Sequence, residues 1–161
     1  FMGSGKSTVA DYLCEKFDMD VVEMDQVIAE RERMSISDIF EKHGELYFRD
    51  LETKLLVELQ EKTNTVVSCG GGVAMRECNV TEMKKNGKVV LLTAKPETIL
   101  ERVENNHDRP LLENNKTVAY IAALMEKRRE KYEAAADMII ETDGKSAQKI
   151  CEEMIQRLGE Q

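Results

Sequence analysis

The stretch Phe1-Met2-Gly3-Ser4-Gly5-Lys6-Ser7-Thr8 decides how the rest of the chain is interpreted. Its Gly5-Lys6-Ser7 segment matches the end of the pattern G-x-x-x-x-G-K-[ST], which joins a buried strand to a helix in phosphate-binding loops. The pattern therefore predicts a glycine and a strand before Phe1. A flexible Gly/Ser-rich end is the plainer alternative, but apolar residues recur after Ser7 at the spacing of the helix that such a loop opens. These residues are Val9, Ala10, Leu13, Cys14 and Phe17.

The residue types in this loop suit an anionic ligand. Gly3 and Gly5 lack a Cβ atom, so the backbone can turn its N–H groups toward phosphate oxygens, and the following helix start adds its positive dipole end. Lys6 supplies a mobile positive charge for the β- and γ-phosphates, and the Ser7 hydroxyl is the expected Mg²⁺ ligand. The loop therefore predicts binding of ATP with magnesium.

Composition limits the classes of partner. The 161 residues carry a formal net charge of −8, and 42% of them are apolar. A chain of this length suits one domain with a full core, and the acidic balance disfavours both nucleic acid and anionic membrane as partners. The four cysteines are far apart, which favours reduced thiols over disulfides or zinc. We expect a cytoplasmic monomer that binds small molecules.

Apolar runs predict four strands, at residues 20–24, 65–69, 89–92 and 138–140. Helical patterns separate them: one from the capping-box residue Ser35 to Gly44, others at about 45–62, 73–86, 96–103 and 118–135, and a last one after Ser146. Strands that alternate with helices predict an α/β fold with a parallel sheet, in which a fifth strand before Phe1 would be central. The polar segment 104–116 is either a surface loop or a lid.

Two strand ends carry residues suited to a site. Glu23 and Asp25 follow the first predicted strand, and Gly70-Gly71-Gly72 follows the second. Three glycines can form a simple hinge. At the carboxyl end of a parallel strand, however, they allow a ligand to approach the backbone, and ligands bind at that edge of α/β sheets.

With these pieces placed, the chain resembles the shikimate kinase family along nearly its whole length. The resemblance rests on the order and spacing of seven blocks: residues 1–8, Glu23-Met24-Asp25, Ser35-Ile36-Ser37-Asp38-Ile39-Phe40, Phe48-Arg49-Asp50-Leu51-Glu52, Gly70-Gly71-Gly72, Arg109-Pro110-Leu111-Leu112 and Lys127-Arg128. It implies a three-layer αβα P-loop kinase fold in a single domain, 1–161. It also implies Mg²⁺-dependent transfer of the ATP γ-phosphate to the 3-hydroxyl of shikimate, a lid at about 104–116 and a region that binds the acid substrate at about 26–62.

The resemblance also implies roles for individual residues. Asp25 would be the catalytic base, although a helix N-cap is an alternative for this position; Lys6 and Arg109 would neutralise the transferring phosphate. Arg49 and Arg128 would grip the substrate carboxylate, whereas each taken alone would be a solvated helix residue. Glu52, three positions after Arg49, would hold that arginine or form an ordinary surface ion pair.

The implied binding sets are as follows. The ATP-binding set is Gly3, Ser4, Gly5, Lys6, Ser7, Thr8, Arg102, Arg109 and Lys145. The substrate-binding set is Asp25, Arg49, Gly70, Gly71, Gly72 and Arg128. The metal set is Ser7 together with Glu23, the latter through water. The family usually has Asp where this chain has Glu23, a difference of one methylene that bears on the metal geometry.

Two other functions fit parts of the sequence. Gluconate kinases and nucleoside monophosphate kinases share the first loop, but they give no reason for Arg49, the three glycines and Arg128 together. A nucleotide-dependent regulatory switch would use the loop and hydrolyse ATP slowly without an acceptor. Assays with different acceptors separate these possibilities.

Overall fold

The computed structural model describes residue 1, residues 3–104 and residues 117–159, and its elements alternate as the sequence predicts. The N-terminal half contains α1 (Lys6–Phe17), β1 (Asp20–Glu23), α2 (Met24–Glu32), α3 (Ile36–His43), α4 (Glu45–Glu58) and β2 (Thr65–Ser68). The C-terminal half contains α5 (Glu77–Asn86), β3 (Val90–Thr93), α6 (Pro96–Val103), α7 (Val118–Ala135), β4 (Met138–Glu141) and α8 (Ala147–Gly159). Two short 3-10 turns, Leu59–Glu61 and Val73–Met75, follow α4 and precede α5.

Helix ends lie where local signals place them. The Ser35 hydroxyl accepts a hydrogen bond from the Asp38 N–H at 3.1 Å, and α3 ends at Gly44. The Thr117 hydroxyl caps α7 in the same way, and Pro96 opens α6. The helix α2 was not predicted. It begins at Met24, directly after β1, and places Asp25 in its first turn with Glu23 at the N-cap position, so the N-cap alternative for Asp25 is wrong.

The four described strands form two parallel pairs. β1 pairs with β2, and β3 pairs with β4, with Glu23 opposite Ser68 and Thr93 opposite Glu141 at their carboxyl ends. The prediction of parallel pairing is confirmed. A cavity of about 440 Å³ lies between the pairs, and valines and leucines of β2 and β3 line it together with Phe1. The fifth strand would precede Phe1 and stays a prediction.

Three apolar clusters hold the helices against the strands. One joins α1 and α8 to β3 and β4, around Leu13, Ile140 and Cys151. A second packs α6 and α7 around Ile99 and Ile121, and a third packs α2, α3 and α4 around Met24 and Ile39. The packed helices support both strand pairs. The carboxyl ends of the strands, and the loops that follow them, are thereby held in place. No helix among the described residues is long and apolar enough to cross a membrane.

Candidate active site

The phosphate loop runs directly into α1. Gly3 and Gly5 have φ values of 73° and 99°, in the left-handed region that favours glycine, and Gly5 is the N-cap of α1. A Cβ on Gly3 would also lie 2.8 Å from a Val103 methyl group. The Ser4 hydroxyl is buried and donates to the Phe1 carbonyl at 2.7 Å. Any contact of Ser4 with phosphate would therefore involve its backbone rather than its hydroxyl.

Positive side chains near this loop already have protein partners. The Lys6 ammonium donates to the Phe1 carbonyl at 2.8 Å. Arg102 donates to the Gly3 carbonyl at 2.9 Å and to the Thr142 hydroxyl at 3.2 Å, and thereby ties the loop to the residues after β4. Lys145 pairs with Glu153 at 2.8 Å. An incoming nucleotide would exchange some of these contacts for its own oxygens and base.

The loop after β4 is anchored by one carboxylate. Asp143 accepts hydrogen bonds from the Thr98 hydroxyl at 2.6 Å and from the Lys95 N–H at 3.1 Å. The Thr98 hydroxyl is the main cause that lowers the pKa of Asp143, so the carboxylate stays ionised at neutral pH. The segment that contains Lys145 is thus held against the start of α6.

Two carboxylates, Asp25 from the start of α2 and Glu52 from α4, lie beside the first glycine of the triple-glycine loop. A Cβ on Gly70 would lie 3.0 Å from Asp25 Oδ1 and 2.8 Å from Glu52 Oε2. A side chain at this position would therefore collide with both carboxyl groups. Glycine at this position leaves space at the strand ends. The loop can also present its N–H groups to a ligand.

Arg49 lies in the same region, held from two sides. Its Nη1 donates to Glu52 Oε1 at 2.7 Å, and its Nη2 contacts Glu45 Oε1 at 3.1 Å. The Arg49 side chain is 15% exposed, whereas that of Glu52 is fully buried and that of Glu45 is mostly in solvent. The alternative of a solvated Arg49 and an ordinary surface ion pair with Glu52 is wrong. A Cβ on Gly72 would overlap the Arg49 guanidinium.

The buried position of Glu52 changes its acidity. Burial raises the pKa of Glu52 above the ordinary value, and the attraction of Arg49 only partly offsets this. The nearby Asp25 carboxylate acts in the same direction as burial. Glu52 is therefore a buried anion that depends on Arg49 for compensation.

Arg128 reaches the site from α7. It is 6% exposed, so the solvated alternative is wrong for this residue also. Its guanidinium lies 5.9 Å from the centroid of the Phe1 ring, within cation–π range, and donates to the Tyr132 hydroxyl at 3.3 Å. The second arginine of the predicted pair is thus in contact with the first residue of the phosphate loop.

The predicted groups meet in one cavity of about 580 Å³. Its wall includes Lys6, Ser7, Glu23, Asp25, Arg49, Gly70, Gly71, Gly72 and Arg128. Arg102 and Lys145 are not part of this wall. Arg102 instead contacts Gly3 and Thr142, and Lys145 lies in the segment after β4. Arg109, and residues 105–116 of the predicted lid, lie outside the described residues, and their roles stay predictions.

Several residues in or near the cavity were not predicted as site residues. Asp11 and Gln26 line it without having stood out in the sequence. Cys69, at the end of β2, also lines it, and burial raises the pKa of its thiol to about 11 despite the nearby positive charge of Lys6. Tyr132 does not line the cavity, but it contacts two residues of its wall, Gly71 and Arg128. Its spacing of four from Arg128 was the signal for their contact.

A phosphate loop at the carboxyl edge of a parallel sheet, beside a cavity lined by a carboxylate and two arginines, defines a P-loop kinase of small acidic molecules. A family model described as "Shikimate kinase" matches residues 2–159. The chain belongs to the shikimate kinase family, and its activity is ATP-dependent phosphorylation of shikimate.

Individual relatives agree with the family match. The shikimate kinase of Persephonella marina is 44% identical over 158 residues, which cover 98% of this chain and 94% of the relative. That of Sulfurihydrogenibium sp. is 43% identical over the same length, covering 98% of this chain and 93% of the relative. The predictions of kinase class, ATP as co-substrate and family are thereby confirmed.

Solved structures agree on the fold. The shikimate kinase from Acinetobacter baumannii in complex with shikimate has a TM-score of 0.92 and 32% identity, covering 98% of this chain and 88% of that one. The enzyme from Aquifex aeolicus has a TM-score of 0.83 and 37% identity, covering 99% and 92%. The predicted three-layer αβα P-loop kinase fold is confirmed.

Proposed function

We propose that the 580 Å³ cavity binds shikimate beside the ATP γ-phosphate, and that phosphate passes to the 3-hydroxyl. The observation that carries the proposal is that Lys6, Asp25, Arg49 and Arg128 line one cavity. Phosphoryl transfer asks a protein chiefly for alignment and charge compensation. These side chains supply a positive charge for phosphate, a carboxylate for the attacking hydroxyl and two guanidinium groups for the substrate acid.

Arg49 and Arg128 would grip the substrate carboxylate. Both are largely buried, so a carboxylate that contacts them is in a less polar setting than at the surface, where ion pairs are weak. Glu52 holds Arg49 from within the protein, while Glu45 contacts it from the solvent side. We expect the substrate carboxylate to replace Glu45 on Arg49 and to leave the contact with Glu52 intact.

Asp25 would orient the attacking hydroxyl and accept its proton. The residue lies in the first turn of α2, directly at the carboxyl end of β1, and its Oδ1 lies beside Gly70. A general base must reach the proton that it removes, and the shared cavity wall with Lys6 satisfies the first condition for this. Arg109 would add positive charge near the transferring phosphate, as the family resemblance implies.

The residues present fit a magnesium ion. Ser7 and Glu23 both line the cavity, and hydroxyl and carboxylate oxygens are the ligands that Mg²⁺ prefers. Ser7 would hold the ion directly, and Glu23 would do so through water. When bound, magnesium neutralises charge on the β- and γ-phosphates. The loop backbone from Gly3 to Thr8 would hold the rest of the nucleotide, together with Arg102 and Lys145.

The remaining expectations concern the whole protein. The charge of −8 supports a protein that binds small molecules and not nucleic acid or membrane surfaces. We propose a cytoplasmic, monomeric, single-domain enzyme. Gel filtration combined with light scattering tests the monomer.

The deciding experiment measures ATP consumption with no acceptor, shikimate, gluconate and a nucleoside monophosphate in parallel, with and without magnesium. We expect turnover that depends on both shikimate and magnesium, and a product phosphorylated at the 3-hydroxyl by phosphorus NMR. Turnover with gluconate or a nucleotide would support another small-molecule kinase. Equal slow hydrolysis in all four mixtures would support a nucleotide-dependent switch.

A further inference from the structure

We propose that Tyr132 is a positioning residue for the acid substrate: its hydroxyl fixes Arg128 relative to the glycine loop, and so sets the shape of the carboxylate-binding end of the cavity. The inference rests on the proposed role of Arg128 in gripping the substrate. Tyr132 is not itself a wall residue of this cavity, so it would act through its two neighbours.

The contacts of the hydroxyl join two separate parts of the site. Tyr132 donates to the Gly71 carbonyl at 2.5 Å and accepts from Arg128 Nη1 at 3.3 Å. Arg128 and Tyr132 are four residues apart on α7, so their side chains lie on the same helix face. Gly71 belongs to the loop after β2. One oxygen atom therefore connects the helix that carries the arginine to the glycine loop.

The chemistry of a phenol fixes the direction of this chain of hydrogen bonds. The hydroxyl has one proton, and a carbonyl can only accept, so the proton is directed to Gly71 and a lone pair is left for the guanidinium. Burial raises the pKa of Tyr132, which keeps the proton in place at neutral pH. A bond from a charged donor polarises the hydroxyl and strengthens its bond to the carbonyl.

Both partners need such a restraint. Gly71 is flanked by two other glycines, and glycine backbone has more conformational freedom than any other, so a fixed carbonyl limits the loop. Arg128 has the Phe1 ring near its guanidinium and the Tyr132 hydroxyl as acceptor. The arginine is thus held by a phenyl face and a phenol oxygen, in a position prepared before substrate binds.

Tyr132 also belongs to an apolar cluster with Phe1, Ile99 and Ile121, and a purely structural role is the simpler account. Tyr132→Phe separates the two accounts, because it keeps the ring and its packing and removes only the hydroxyl. Tyr47→Phe is the matched control: that hydroxyl also donates a hydrogen bond, to Glu32 at 2.9 Å, but at the surface.

The test measures kcat, KM for shikimate, KM for ATP and the melting temperature of wild type, Tyr132→Phe and Tyr47→Phe. For Tyr132→Phe we expect KM for shikimate to rise about fivefold to twentyfold, between the loss of an ordinary hydrogen bond and of one to a charged group because Tyr132 acts through Arg128, with KM for ATP within about twofold. Tyr47→Phe should match wild type. An unchanged KM for shikimate in Tyr132→Phe would overturn the inference, and so would an equal rise in both KM values with a lowered melting temperature.

Arg128→Lys, alone and combined with Tyr132→Phe, distinguishes this inference from the function on which it rests. If Arg128→Lys leaves KM for shikimate unchanged, the proposed grip is wrong and the Tyr132 inference falls with it. If Arg128→Lys raises KM and Tyr132→Phe does not, only the Tyr132 inference is wrong. Because Tyr132 acts through Arg128, its effect should be smaller in the Arg128→Lys background than in wild type.

Discussion

The acid-binding side and the nucleotide side of this site are built differently. On the acid side, the two arginines are largely buried, and a buried carboxylate and a buried phenol hold them. On the nucleotide side, Lys6 and Arg102 contact carbonyls of the phosphate loop itself, and Lys145 pairs with a partly exposed glutamate. On the acid side we expect ligand binding to replace only the solvent-exposed Glu45 and to leave the buried contacts intact. On the nucleotide side the ligand must replace contacts of the phosphate loop itself.

The difference follows from the ligands. A substrate carboxylate carries one charge and few atoms, so its affinity depends on partners that are already in position. A triphosphate with magnesium offers many oxygens and several charges, which can replace internal contacts and still bind well. Variants on the acid side should therefore change the kinetic constants for shikimate strongly and specifically, and surface variants on the nucleotide side should have small effects.

The largest effect is expected where the two sides meet. Asp25→Asn removes the proposed base and keeps its size, so kcat should fall about a hundredfold to ten-thousandfold, the usual contribution of a general base. Steady-state turnover at saturating ATP and shikimate measures this. Nucleotide titration serves as the control, since ATP affinity should be unchanged. Turnover near that of wild type would remove Asp25 from the role of base.

A methyl group on the glycine loop should weaken the acid side alone. In Gly72→Ala the new Cβ overlaps the Arg49 guanidinium, which must move, and KM for shikimate should rise about tenfold to a hundredfold because positioning is lost. KM for ATP should stay constant. Gly159→Ala, where a Cβ meets nothing within 4 Å, is the matched control. Equal changes in both KM values would show that the two sides are not separate.

Acid should loosen Arg49 through Glu52. As the pH falls through the raised pKa of Glu52, this carboxylate takes up a proton and Arg49 loses its buried anion. KM for shikimate should then rise about threefold to tenfold, the range for loss of one ordinary hydrogen bond. The window, the pH range in which Glu52 takes up its proton, lies above the ordinary glutamate pKa of 4.5. Kinetics between neutral pH and this window measure the rise.

The raised pKa of Glu52 also determines how its contribution to stability changes with pH. A raised pKa in the folded state means that the folded protein binds the Glu52 proton more tightly than the unfolded chain does. The contribution of Glu52 to stability therefore increases as the pH falls and is lost as the pH rises through the folded pKa.

Glu52→Gln should have a raised KM that no longer varies across the window. A Glu52→Gln profile that still follows wild type would assign the pH effect to another group.

The smallest effect is expected on the nucleotide side. Lys145 and Glu153 are both partly exposed, and charged contacts in such a position contribute little. Loss of the proposed Lys145 contact to the nucleotide in Lys145→Ala should therefore raise KM for ATP by no more than about twofold. Lys6→Ala, measured in parallel, should impair turnover with ATP far more. A rise above fivefold for Lys145→Ala would contradict this and make the lysine a main contributor to nucleotide binding.

Much of the fold could be predicted because its signals are local. The helices Pro96–Val103 and Val118–Ala135 begin and end where the pattern places them, since a proline opens one and a threonine caps the other. The helix Met24–Glu32 was missed. Only Met24 and Ile28 are buried in it, and its N-cap makes no side-chain hydrogen bond, so neither a strong apolar stripe nor a capping signal was present.

The arrangement of the site was harder to predict from sequence patterns than the fold. Spacing could suggest that Arg49 and Glu52 share a helix face, but not that Glu52 is fully buried. That depends on how α4 packs against the loop after β2, which is a long-range contact. The overlap of a Gly72 side chain with Arg49, and the bond from Tyr132 to Gly71, have the same origin. Family resemblance supplied the candidate residues, and only packing shows which of them support one another.

The position of Cys69 has a consequence for chemical modification. With a pKa of about 11, roughly one thiol in ten thousand is a thiolate at neutral pH, and the thiolate is the form that attacks electrophiles. Covalent inhibitors aimed at this cavity through Cys69 would thus react slowly, although the cysteine lines the wall. Alkylating reagents and fluorescent labels would first modify Cys14 and Cys78, which are exposed.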